Sequence, residues 1–194
     1  LFGSPAPADV IMDWNAQSDA IAALKQIRPT AHARTQTLLH LAMFEAVNAI
    51  ERRYVPYRLN LSADRSTSKE AAAASAAHDV LISIYPDQRA ALAEMLSKSL
   101  AGLAEGEPKA KRIGLRKKAA AEMIASRAND GFDAPEHYRP HTSPGVYVPT
   151  VVPLFSTAGT ATPWAMTSGS QFRPASPPAL NSETWTRDLD DIRE

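Results

Sequence analysis

Proline divides this chain into a part that can be helical and a part that cannot. Nine of its 15 prolines fall within residues 132–181: Pro135, Pro140, Pro144, Pro149, Pro153, Pro163, Pro174, Pro177 and Pro178. Each lacks an amide donor, and each disfavours helix at the residue before it. That segment is expected to be irregular. Upstream, Pro29, Pro56, Pro86 and Pro108 stand at intervals that punctuate helices rather than forbid them. The chain therefore reads as all-α: a helical bundle at 1–131, a proline- and aromatic-rich loop at 132–181, and the start of another helix at 182–194.

Five helices are expected within the bundle. The first spans about 9–27, with Asp9 as N-cap and Val10, Trp14, Ile21 and Leu24 near one face. Pro29 ends it, and Thr30 can cap the second, about 30–52. Leu38, Leu39, Leu41, Ala42, Met43, Phe44, Ala46, Val47, Ala49 and Ile50 leave that helix almost no polar face. A helix apolar nearly all round is a buried one, so this element is expected at the centre, with Leu41 and Phe44 in the core. The third, about 68–85, starts at Ser68 and carries six alanines, small enough to let helix axes approach closely. The fourth, about 87–104, places Leu92, Met95, Leu96, Leu100 and Leu103 at helical spacing. Pro108 opens the fifth, which Asn129-Asp130-Gly131 stops with a glycine able to take positive φ. Asn181 or Ser182 starts the sixth. Only Gly145–Val152 hints at strand.

The long loop is not ordinary linker. It holds six of the 13 aromatic residues: Phe132, Tyr138, Tyr147, Phe155, Trp164 and Phe172. Disordered linkers are poor in aromatics, so a packed loop is expected, ordered against a half of the protein outside this chain with Trp164 and Phe172 as its anchors.

Composition narrows the function. Lys+Arg and Asp+Glu are both 21, so the formal net charge is zero. Nothing in that balance favours nucleic acid or an anionic membrane. There is no cysteine, which removes disulfides, thiolate metal sites and cysteine nucleophiles. No run approaches the roughly 18 apolar residues of a bilayer span. The opening residues do not resemble a signal peptide, and one could already have been removed.

The polar candidates have bland readings. His137 and His141 are four apart, but the flanking prolines break the helix that such a ligand pair needs, and no third ligand lies near in sequence. His32, His40, Glu45 and Asn48 lie on the apolar second helix, where a hydrogen-bonded core network is the default and a pocket wall the alternative. His78 and Asp79 are neighbours on a helix and are expected at an interface or the surface. The basic run Lys109, Lys111, Arg112, Arg116, Lys117 and Lys118 reads as a solvated face offset by Glu105, Glu107, Glu122 and Asp130.

Three groups of residues taken in order carry more. Asp9-Val10-Ile11-Met12-Asp13-Trp14-Asn15 leads into a helix. Ala33 to Ile50, with His40, Glu45 and Asn48, is followed by Tyr54-Val55-Pro56-Tyr57. Far downstream come Pro163-Trp164, Gln171-Phe172-Arg173-Pro174 and Pro177-Pro178-Ala179-Leu180-Asn181-Ser182. This series resembles the N-terminal half of bacterial proteins similar to vanadium-dependent haloperoxidases, in the type-2 phosphatidic acid phosphatase superfamily. The resemblance implies a fold of two helical bundles, with vanadate, or phosphate in the phosphatases, held in the second. Its catalytic motifs are Lys-x6-Arg-Pro, Pro-Ser-Gly-His and Ser-Arg-x5-His-x3-Asp, whose cations, amides and histidines serve an oxyanion.

None of the three occurs here. Seven residues before Arg28, Arg139 and Arg173, each followed by proline, stand Ile21, Phe132 and Met166. Ser168-Gly169 precedes Ser170, not histidine, and Ser126-Arg127 would need histidine where Asp133 stands. No catalytic, cofactor-binding or metal residue is carried over to this chain. The resemblance thus implies the scaffold half of a peroxidase that oxidises halide with hydrogen peroxide. Its partner would be the C-terminal half of the same protein, which would hold vanadate. An acid phosphatase of the same fold and a non-catalytic helical interaction module are the alternatives. A secreted or periplasmic location is expected, and self-association is left open.

Overall fold

A computed structural model describes residues 9–101 and 118–193. Among them α-helix dominates and no strand occurs, including at 145–152. The chain divides into two compact units, Leu1–Ala128 and Asn129–Glu194.

In the first unit, α1 spans Val10–Leu24, α2 Pro29–Glu51, α3 Lys69–Ile84 and α4 Arg89–Leu100. A helical segment at 118–125, α5, belongs to the same unit. The start of the expected fifth helix, and the cations from Lys109 to Lys117, lie outside the described residues; Lys118 is exposed and pairs with Glu122 at 3.7 Å. The helix starts follow local chemistry. Asp9 accepts from the Ile11 amide and Ser68 from the Ala71 amide, each satisfying a donor that the helix itself leaves unpaired. Pro29 does not precede α2 but is its first residue, where a missing amide hydrogen costs nothing; Arg28, not Thr30, is the capping position.

The buried face of α1 is Trp14, Ser18, Ile21 and Ala22. Leu24, expected on that face, is 73 % exposed. It lies about 100° round the helix from the centre of the stripe, which Ser18 and Ala22 pull to one side.

The centre of the bundle is α3 rather than α2. Among α1–α4, the alanine-rich helix packs against all three others, whereas α2 packs against α1 and α3. Every residue from Ala71 to Ala77 is buried, with Val80, Leu81 and the following Tyr85. Small side chains put α3 where three neighbours meet. The α2 core face is Leu38, Leu39, Ala42, Met43, Ala46, Ala49 and Ile50, while Leu41 and Phe44, expected in the core, are half-buried. Leu92 is the one buried residue of α4. Ala119, Ala120 and Met123 add the buried face of α5.

The second unit contains a short 3-10 turn at Ser156–Gly159 and α6 at Glu183–Arg193. Its long loop is irregular, as its prolines require, and one ring contact forms within the unit. Phe132 meets Phe155 edge-on at 5.0 Å, whereas Phe172 is 77 % exposed and Trp164 half-buried. Glu136 accepts from the Ser156 amide and hydroxyl, and Thr162 donates its amide to the Asp130 carbonyl at 2.7 Å. Gly131 takes φ +83°, as the helix stop predicts. At Gly169 a Cβ would come within 2.6 Å of the Gly159 carbonyl oxygen, so only glycine fits that crossing. Ser182 opens α6 by accepting from the Trp185 amide.

Candidate functional site

The polar residues of α2 sort into two groups along the helix. Those nearer its end, Glu45 and Asn48, serve the backbone of the loop that follows. One carboxylate oxygen of Glu45 accepts from the amides of Arg58 and Leu59, at 2.7 and 3.0 Å. Asn48 donates to the Tyr54 carbonyl at 2.8 Å and accepts from the Tyr54 amide at 2.9 Å. Both side chains are buried, so these contacts satisfy groups that would otherwise be stranded away from water. Arg127, also buried, donates to the Tyr57 hydroxyl at 2.7 Å, and its carbonyl accepts from Arg34 at 2.7 Å. The end of the bundle is thereby stitched to α2 and its loop. Of the two readings open for Glu45 and Asn48, the hydrogen-bonded network is the one observed.

The second group lies on the half-open seam between α1 and α2. His32, Gln36 and His40 are successive at four-residue intervals, so they stack on one face of α2. Asn15 and Asp19 stand likewise on α1. Asp19 is the hub. Its Oδ1 accepts from His32 Nε2 at 2.8 Å and Gln36 Nε2 at 2.7 Å, and its Oδ2 from Asn15 Nδ2 at 3.0 Å. Because an ionised carboxylate only accepts, His32 must carry its hydrogen on Nε2. The Asn15 amide, oriented by Asp19, turns its oxygen to His40 Nε2 at 3.0 Å. The hydrogen bond from His32 leads the effects that lower the Asp19 pKa below the ordinary 3.8; partial burial opposes it, and Gln36, the proximity of His32 and Asn15 add to it. The seam stays open to water, with the side chain of Asp19 53 % exposed and that of His32 23 %.

This seam is the candidate site, because among the described residues it alone gathers imidazole, carboxylate and carboxamide groups within reach of solvent. Only its two histidines stood out in the sequence. The signal for the others was available: polar residues recurring every fourth position on two consecutive helices. A histidine–carboxylate pair can orient an imidazole, yet no hydroxyl nucleophile is hydrogen-bonded to His32 among the described residues.

The remaining sequence candidates lie elsewhere. His78 and Asp79 are bonded to each other at 2.8 Å and mostly buried, with His78 edge-on to the buried Trp14 at 6.3 Å. His78 packs in the α1–α3 contact, and Asp79 is half-buried beside it. His137 is an exposed loop residue 3.2 Å from the Pro135 carbonyl, and His141 is exposed. Among the described residues no group of three or more His, Asp or Glu side chains is placed to hold a metal. Ser168, Gly169, Ser170 and Arg173 line one open depression together with Thr160 and Thr167. One guanidinium facing solvent does not meet the needs of a bound vanadate, which requires several charges in a partly dry cavity. That depression therefore does not fit the cofactor, and none of its chemistry is assigned to these residues. No described helix is long and apolar enough to cross a membrane.

No protein-family model, curated protein or solved structure matches the chain.

Proposed function

We propose that the chain is the N-terminal scaffold of a vanadate-dependent haloperoxidase-like enzyme, in which halide oxidation by hydrogen peroxide is carried out by residues outside it. The observation that carries this reading is the clamp on the loop after α2. The series that carries the resemblance includes Glu45, Asn48 and the Tyr54-Val55-Pro56-Tyr57 that follows. In the folded chain these are physically one unit, with Glu45 and Asn48 holding the backbone from Tyr54 to Leu59 and Arg127 holding Tyr57. A set of residues that fixes one loop conformation has a structural reason to recur together. The helical bundle is also of the class that the reading requires. In this role the chain positions helices and presents surface to a second bundle.

Titration with orthovanadate tests it. The chain alone is expected to bind neither vanadate nor phosphate tightly. The chain continued into the downstream segment of its own protein is expected to bind vanadate and oxidise bromide or chloride. Hydrolysis of phosphate esters without halide oxidation would transfer the reading to an acid phosphatase of the same fold. Absence of oxyanion binding in both forms would overturn it in favour of a non-catalytic helical module.

A further inference from the structure

We propose that Asp19, His32 and Gln36 form a site for a divalent transition-metal ion of the zinc, nickel or cobalt type on the α1–α2 seam. The proposal is independent of any oxyanion chemistry and rests on the placement of three donors. Asp19 Oδ1 is 2.8 Å from His32 Nε2 and 2.7 Å from the terminal nitrogen of Gln36, which is itself 3.5 Å from His32 Nε2. Ligands about 2.1 Å from one metal stand about 3.0–3.4 Å apart in octahedral or tetrahedral arrangements. The triangle already present is therefore close to one face of a coordination shell. Rotation of the Gln36 amide exchanges its nitrogen for an oxygen at the same corner. That oxygen is buried and has no hydrogen-bond partner where it now points.

Two further features suit a cation. First, the carboxylate is prepared as an outer-shell network prepares a metal ligand. Asn15 holds Oδ2 and is held in turn by His40, which leaves Oδ1 facing the triangle. Second, the exposure of Asp19 leaves room for water to complete the shell. Without a cation, the corner is held together by two hydrogens shared with one carboxylate oxygen. A metal replaces both contacts at once: His32 binds through Nε2, and its proton moves to Nδ1, whose lack of an acceptor weakens the complex. With imidazole, carboxylate and carboxamide as donors, the ion expected is of borderline softness, not calcium, which favours an all-oxygen shell. Only two of the three donors are strong ligands, so the expected complex is labile and exchanges with chelator.

The test uses the full 194-residue chain carrying His137→Ala and His141→Ala, so that the exposed loop histidines contribute nothing. Zinc titrated by calorimetry is expected to bind at one equivalent. His32→Ala and Asp19→Asn should each abolish that binding, and Asn15→Ala should weaken it about tenfold, as loss of an outer-shell partner does. Circular dichroism checks that the variants keep their helicity. A measurement free of ligand substitutions keeps the outcome clear if one unfolds. Cobalt(II) added to the isotope-labelled chain should broaden amide signals around residues 15–19 and 32–40 before any others. Saturable binding that survives His32→Ala and Asp19→Asn, broadening centred elsewhere, or no saturable binding at millimolar metal would each overturn the proposal.

Discussion

Glu45 accepts two backbone amides with one buried oxygen, and Asn48 closes a two-way bond with the Tyr54 peptide. Removing either leaves buried backbone groups unpaired, and a charged acceptor is worth more than a neutral one. Glu45→Ala is expected to cost about 2–3 kcal/mol and Asn48→Ala about 1–3 kcal/mol in urea melts. Both should open the 52–59 loop to proteolysis. A loss near zero at Glu45 would show that water replaces it. Asp19 belongs to the same scale but acts through pH. Its folded pKa lies below 3.8, with the hydrogen bond from His32 as the largest cause. Stability from this group is therefore fully present above the unfolded value and is lost as pH falls through the lower folded value. Asp19→Asn should flatten the acid limb of the stability profile below about pH 4, lowering stability modestly at neutral pH and leaving it comparatively little changed in acid. An unaltered acid limb would mean that the carboxylate titrates alike in both states. The exposure of Asp19 to solvent keeps the effect modest.

At the scale of elements, the punctuation of the helices was legible because it is local. Asp9, Ser68, Gly131 and Ser182 act on their own backbone within a few residues, so the sequence contains the whole cause. The central element was not legible. Hydrophobicity pointed to α2, whose apolar residues are many and large, but the position in the middle went to α3, whose alanines let three helices approach. Alanine counts for little on a hydrophobicity scale, and the advantage of being small exists only once neighbours are present. The candidate site was half legible for a related reason. His32 and His40 stood out singly, whereas Asp19 and Asn15 gain meaning only when α1 lies beside α2. The close packing of α3 is testable. Ala76→Leu, at a position with no exposure, should cost on the order of 1–3 kcal/mol or more, because added volume has nowhere to go. Ala93→Leu, exposed on α4, should change stability by less than about 0.5 kcal/mol. Equal responses in denaturant melts would show that the alanine helix is not the tight centre of the bundle.

At the scale of the whole molecule, the two units differ in what holds them. Every buried hydrophobic residue from Trp14 to Met123 lies in the first unit, and so does the buried Arg127 that ties its last helix to Tyr57. The second unit contributes Asp130 and Thr157 as its buried residues and is otherwise held by local contacts such as Phe132 on Phe155 and Glu136 on Ser156. Apolar burial is the main source of cooperative stability, and local hydrogen bonds near water add little. A chain cut after Gly131 should therefore keep a single cooperative thermal transition and the helical signal of the bundle, with a midpoint within a few degrees of that of the full chain. The complementary segment, 132–194, should show no cooperative transition by itself. Its α6 carries Trp185, Leu189 and Ile192 along one face but has no buried residue, and an isolated helix of 11 residues is shorter than the roughly 12–15 at which helices become even marginally stable in water. Calorimetry of the two fragments beside the full chain decides the matter. A first fragment that melts without cooperativity would mean that the bundle depends on residues beyond 131, and a second fragment that melts cooperatively would mean that its aromatics build a core of their own.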